Sequence, residues 1–151
     1  MTLRRGLLAW AAVSSVGLGK AMAQPGGAPA MMGMPGMPAG PMTVQSCIES
    51  CWRSHVMCLE TARYCLEKDG LHATPAHQSL LADCAEICLA TANALIRRSS
   101  QHAVFCKACA EVCDACARQC ERFTDDQRMA VCARTCRECA GHCREMADMP
   151  L

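Results

Sequence analysis

The chain has 151 residues and a formal net charge of +1, with 52% hydrophobic but only 3% aromatic residues. That length suits one small domain, and a core this poor in aromatic and β-branched residues argues for helices over sheet. No basic patch interleaved with aromatic residues is present, so nucleic-acid binding has no support; what stands out instead is fifteen cysteines.

In chain order the first element is a leader, "MTLRRGLLAWAAVSSVGLGKAMAQ". Arg4 and Arg5 precede an apolar run from Leu7 to about Leu18, which ends in the small-residue pattern Ala21–Ala23 before Gln24. The run is short for a bilayer span. The arginine pair followed by Gly6, Leu7 and Leu8 resembles a twin-arginine signal, which exports folded proteins; a Sec signal is the alternative. Residues 1–23 are thus expected to be a cleaved export signal, with the mature chain periplasmic or otherwise outside the cytoplasm and without a membrane span. Removing the leader leaves 12 basic against 14 acidic residues. Export into an oxidising compartment normally makes disulfides, yet an odd cysteine count leaves one over.

Residues 24–42, "QPGGAPAMMGMPGMPAGPM", form a Pro/Gly/Ala/Met segment that cannot pack a core and reads as a flexible tether. Its methionines (Met31, Met32, Met34, Met37 and Met42) fit either a plain linker or a loose thioether patch for soft metal ions.

Four helical segments follow over residues 43–149. The first opens on a capping box of Ser46 and Glu49, runs to about Lys68 and stops at Gly70. The second begins at Thr74-Pro75 and runs to about Arg98. Ser99 or Ser100 caps the third, which reaches about Phe123. The fourth opens with Thr124 and Gln127 and ends before Pro150. Short connections make neighbours antiparallel, so the expected fold is all-α, an up-down-up-down four-helix bundle.

At about 100° per residue the cysteines fall on stripes. Cys51, Cys58 and Cys65 lie within about 40° of Cys47. Cys106, Cys109, Cys113, Cys116 and Cys120 share one face of the third segment. Cys132, Cys136, Cys139 and Cys143 share one face of the fourth. Cys84 and Cys88 lie on a face of the second with His77, Leu81 and Leu95. Charged residues such as Glu49, Arg53, Glu60, Arg134 and Arg137 fall opposite. The seam that normally holds Leu and Ile would hold thiols, all pointing inward.

A thiol core acting only as a small hydrophobe needs no such regularity. Disulfides between helices would serve a few pairs but not a fully lined interior, and cysteines seven apart on one helix are out of reach. Zinc sites use knuckles or loops, whereas "CKAC" and "CREC" sit inside uninterrupted helix; an iron–sulfur cluster needs a cavity wrapped by loops. Cuprous ion is soft, prefers sulfur and accepts two or three ligands, so cysteines at i,i+3 or i,i+4 can clamp it. With each thiolate bridging two ions, the interior would hold about one ion per cysteine, on the order of 15. Loading would release protons.

The stretches "CIESCWRSHVMCLETARYC", "CAEIC", "CKACAEVCDACARQC" and "CARTCRECAGHC" in helical register resemble the bacterial copper storage proteins. The resemblance covers about residues 43–149. It implies Cu(I) storage through thiolate pairs and a tetramer of bundles, with copper donor or acceptor proteins as partners. One end of the bundle gathers Cys65, His72, His77, Cys120 and Met129, and looks like the family's open mouth, where His and Met receive copper. The other gathers Cys47, His102, Cys106, Cys143 and Met146. No catalytic constellation is present. The rivals from other classes are a disulfide-braced structural protein and a thiol oxidoreductase, which would need an exposed, low-pKa pair at a helix N-terminus.

Overall fold

The computed structural model describes residues 42–151. The expected export signal and the tether up to residue 41 lie outside the described residues. Four helices follow one another, α1 (Val44–Lys68), α2 (Pro75–Ile96), α3 (His102–Cys120) and α4 (Gln127–Ala147).

Local chemistry sets their ends. Thr43, in extended backbone, caps α1: its Oγ1 accepts from the Ser46 amide at 3.0 Å, and Ser46 Oγ accepts from the Thr43 amide at 3.0 Å. The capping box is therefore Thr43–Ser46, one turn earlier than the expected Ser46–Glu49. Thr43 wins because its side chain and that of Ser46 satisfy each other's amides. α1 stops as expected: Asp69 (φ 62°) and Gly70 (φ 60°) both turn into the left-handed region that ends helices. Thr74 and Pro75 start α2 where the sequence places them. α2 ends two residues early, because Arg98 adopts φ 50° and the Ser99 amide bonds back to the Ala94 carbonyl at 3.0 Å. Gln101, not Ser99 or Ser100, precedes α3; the Ser99 hydroxyl instead accepts from the Gln101 amide at 3.2 Å. α3 ends at Cys120, three residues short of the expected Phe123. Asp126, not Thr124, caps α4, accepting from the amides of Arg128 (2.9 Å) and Met129 (3.2 Å).

The helices form a ring in which each packs on its sequence neighbours and α4 closes against α1, while the backbones of diagonal helices stay apart and only their side chains meet across the centre. Residues near the start of α1 meet the end of α4, as in Cys47–Cys143, and residues near the end of α1 meet the starts of α2 and α4, as in Cys65–His77 and Cys65–Met129. The order is therefore antiparallel, up-down-up-down. Arg53–Glu138 and Arg128–Glu60 tie α1 to α4 on the outside; Arg137 and Arg144 tie α4 to Asp114 of α3. Such exposed pairs add little stability, so the bundle rests on what fills its centre. α2 is the one described helix long and apolar enough to cross a membrane, with a mean hydropathy of 1.5 over its richest window. Its apolar face, including Leu81, Cys84, Cys88 and Leu95, is buried inside the bundle.

Candidate metal centre

All fifteen cysteines are buried and free, each with a relative exposure of 0%. Alanines such as Ala85, Ala92, Ala117 and Ala140 pack between the stripes and let the helices approach closely. The expected inward register is borne out for every cysteine. The closest thiol–thiol contacts run from 3.4 Å (Cys88–Cys113) to 3.9 Å (Cys47–Cys143, Cys84–Cys136, Cys88–Cys139, Cys109–Cys113). These are contacts between separate thiols, far longer than a disulfide bond.

The sulfurs gather into compact groups whose members all lie within 4.8 Å of one another. Near the start of α1 is the triad Cys47, Cys106 and Cys143. It shares Cys143 with the group Cys51, Cys109, Cys139, Cys143, which in turn shares Cys109 and Cys139 with Cys88, Cys109, Cys113, Cys139. Further along are Cys58, Cys84, Cys116, Cys136 and, sharing Cys116, the triad Cys116, Cys120, Cys132. Each group draws on two to four helices, so no helix holds a site alone.

Cys65 completes the series with different partners. Its Sγ lies 3.6 Å from His77 Nε2 and 3.7 Å from Met129 Sδ, and all three side chains are fully buried. The structure thus brings His77 and Met129 onto a cysteine, as the sequence leads one to expect. His77 Nδ1 has no hydrogen-bond partner among the described residues. His72 is placed differently. Its Nε2 pairs with Asp126 Oδ2 at 3.0 Å, and its ring stacks on Phe123 at 4.2 Å between centroids. Phe123 also touches His77 at 5.3 Å, so it covers the end of the sulfur column. Asp126 Oδ2 accepts a further hydrogen bond from Tyr64 at 2.7 Å. At the opposite end, His102 does not face the sulfurs: its ring nitrogens lie against the carbonyls of Met149 (2.9 Å) and Ser99 (3.2 Å).

Several inward polar side chains escape a search for cysteine alone. Ser54 Oγ donates to Cys136 Sγ at 3.7 Å, while Ser50 Oγ and Thr61 Oγ1 are buried without partners. They continue the α1 cysteine stripe at three- and four-residue steps, a signal present in the sequence. Tyr64 and Phe123 carry no such periodic signal.

Burial shapes the proton chemistry. Desolvation, aided by the neighbouring Cys132 and Asp126 charges, raises the Cys65 thiol to about 11. Hydrogen bonds to neighbouring thiols and burial hold Cys58 and Cys113 far above the ordinary thiol range. Desolvation lowers His77, favouring the neutral ring that can ligate a metal. Burial works against ionised Asp126, yet hydrogen bonds from Tyr64, the Met129 amide and His72 outweigh it and keep the carboxyl below its usual range. Hydrogen bonds from neighbouring thiols pull Cys84, Cys109 and Cys132 below the ordinary thiol range, so the apo interior mixes thiols that hold their protons with thiols that give them up readily. A soft, low-coordinate cation can displace those protons and find two to four sulfurs at every level.

Residues 41–148 match the family model described as copper storage protein. The chain belongs to the copper storage protein family. Among solved structures, the chain is similar to a protein from Nitrosospira multiformis (42% identity, TM-score 0.65, covering 69% of this chain and 94% of that one). It is also similar to the Cu(I)-bound copper storage protein BsCsp3 (32%, TM-score 0.64, 68% and 96%). A third is apo copper storage protein 3 from Bacillus subtilis (31%, TM-score 0.64, 70% and 99%). No curated protein sequence matches. The family model spans all four helices and every cysteine of the column, so the match and the buried thiols concern the same part of the chain.

Proposed function

We infer that this copper storage protein holds many Cu(I) ions, about one per cysteine, on thiolates shared between neighbouring groups inside the bundle of residues 43–149. The observation that carries this reading is the unbroken lining of fifteen buried, free thiols in overlapping groups. A disulfide scaffold would pair them, and a thiol oxidoreductase would expose one reactive pair; the CxxC pairs here lie mid-helix and fully buried. The role is storage without catalysis.

The finer reading is that residues 1–23 direct export, through the twin-arginine route if the bundle folds with reduced thiols first. The mature protein then stores copper outside the cytoplasm and exchanges it with donor or acceptor proteins. His77, Met129 and Cys65 receive ions at the mouth, with His72 beside them. Self-association into a tetramer is supported by the exposed apolar stripe on α1 of Trp52, Val56, Leu59 and Leu66, 41% to 61% exposed in the single chain.

Anaerobic titration of the reduced protein (residues 24–151) with Cu(I) against a competing chelator tests the storage reading. Uptake on the order of 15 ions with little change in helicity is expected. Saturation at one or two ions would sink it.

A further inference from the structure

The thiol column is not evenly connected along its length. Three sulfur groups, linked through Cys109, Cys139 and Cys143, fill the half nearer the start of α1; two groups, linked through Cys116, fill the half nearer the mouth. No group spans both halves. Along α3 the boundary falls between Cys113 and Cys116, and along α4 between Cys136 and Cys139. On α1 the inward residue between Cys51 and Cys58 is Ser54, a hydroxyl bonded to Cys136. The crossing is left to α2. Cys84 Sγ lies 3.6 Å from Cys113 Sγ in the far half and 3.9 Å from Cys136 Sγ in the near half. Among the described residues the thiol contacts that join the two halves all run through Cys84, to Cys113 and to Cys88 one turn along α2; the others run within one half.

The two ends of the column are also unlike. At the far end Cys47 and Met146 are fully buried, while Met42, Met149 and Leu151 pack over the core. The Met149 carbonyl is held by His102 at 2.9 Å, which fixes the C-terminal tail there. At the mouth, a cavity of about 360 Å³ lined by His72, Arg122, Phe123 and Asp126 reaches the ring that covers His77. Ions moving through a dry core need the next sulfur in reach before the last one lets go, since a buried charge stripped of ligands is costly.

From this connectivity we propose that Cys84 is the transfer residue between two halves of the store, so that copper in the far half arrives and leaves through Cys84. This rests on the reading of the bundle as a Cu(I) store. At the crossing, Cys84 keeps its bond to the ion while a bond to Cys113 forms and the bond to Cys136 breaks. The proton displaced from Cys113 passes to the released Cys136 thiolate, and copper stays Cu(I). Cys84 is thus a ligand that matters for movement more than for capacity.

The experiment is release of copper from fully loaded protein into excess Cu(I) chelator, followed by the chelator's absorbance. It compares wild type, C84A, C84S and C88A. C88A removes one far-half thiol but leaves the Cys84–Cys113 contact in place. Capacity should fall by about one ion in each variant, with helicity unchanged, which separates transport from folding. In C84A and C84S, about half of the copper is expected at the wild-type rate and the rest at least about tenfold slower, the ratio given by a barrier raised about 1.4 kcal/mol. C88A should release without the slow half. Release from C84A and C84S that matches C88A throughout would overturn the proposal. Wild type that saturates at one or two ions would instead overturn the storage reading, before any release is measured.

Discussion

Cys65 Sγ and His77 Nε2 face each other at 3.6 Å with both side chains wholly buried. The pair closes the sulfur column where thiol gives way to imidazole and thioether. It joins the end of α1 to the start of α2, and Met129 joins both to the start of α4. The short α1–α2 and α3–α4 connections bring these residues to one end, and Phe123 lies over them. An ion entering at this end would meet an imidazole nitrogen and two sulfurs before the first all-thiol group.

Met129 separates packing from ligation. M129L conserves volume and should cost under about 1.5 kcal/mol in urea unfolding of the apo protein. M129A should cost about 2–5 kcal/mol, because the side chain is fully buried. Both remove the thioether, so both should slow the first phase of copper uptake in stopped-flow mixing. Uptake by M129L at the wild-type rate would remove Met129 from the receiving site.

Apo stability should depend on pH from both sides. The Cys65 thiol is raised from 9.0 to about 11 in the fold, so the neutral form is favoured. Its contribution is fully present below pH 9.0 and is lost as pH rises through about 11. His77 is lowered from 6.5, so its contribution is present above pH 6.5 and is lost as pH falls through the lowered value. Urea unfolding at pH 6, 8 and 11 should show a maximum at pH 8. Copper reverses the alkaline side, because loading consumes thiolate. Adding Cu(I) to weakly buffered apo protein should release protons, and affinity should rise with pH.

Asp126 ties three elements together, capping α4 while accepting from Tyr64 and pairing with His72. D126A should destabilise the apo protein by about 1–3 kcal/mol, from the lost cap and hydrogen bonds. Y64F should cost about 1 kcal/mol. The Asp126 carboxyl is held below its usual value, so its contribution is present above pH 3.8 and is lost as pH falls through the lowered folded value. Acid unfolding of D126N should begin from lower stability and fall less steeply. An unchanged acid limb would show that this carboxylate does not hold the mouth together.

The exposed α1 stripe should govern self-association and not storage. W52E combined with L59E should shift the light-scattering mass of the mature protein to that of one chain. Copper capacity should be retained, since neither residue touches a thiol group. A wild-type mass already equal to one chain would refute the tetramer.

Much of the site was legible because an α-helix converts spacing into direction. Steps of three, four and seven residues put every cysteine on one face of its helix, and Thr74-Pro75 and Gly70 mark boundaries that backbone geometry honours. The missed caps, Thr43 for Ser46 and Asp126 for Thr124, lie two or three residues from the expected ones, where the sequence offers more than one side chain able to cap. Tertiary placement decides between them, as when Asp126 also reaches Tyr64 and His72.

Periodicity gives the azimuth of a side chain but neither the axial offset between helices nor their mutual rotation. The sequence by itself therefore determined that fifteen thiols point inward in a four-helix bundle. Only the tertiary structure decided which sulfurs meet. It set Cys47 with Cys106 and Cys143, turned His102 toward backbone carbonyls, stacked His72 on Phe123, and placed Cys84 alone between Cys113 and Cys136. Those distances depend on axial shifts of a few ångström, about the rise of two residues of helix, and no pattern within one helix encodes them.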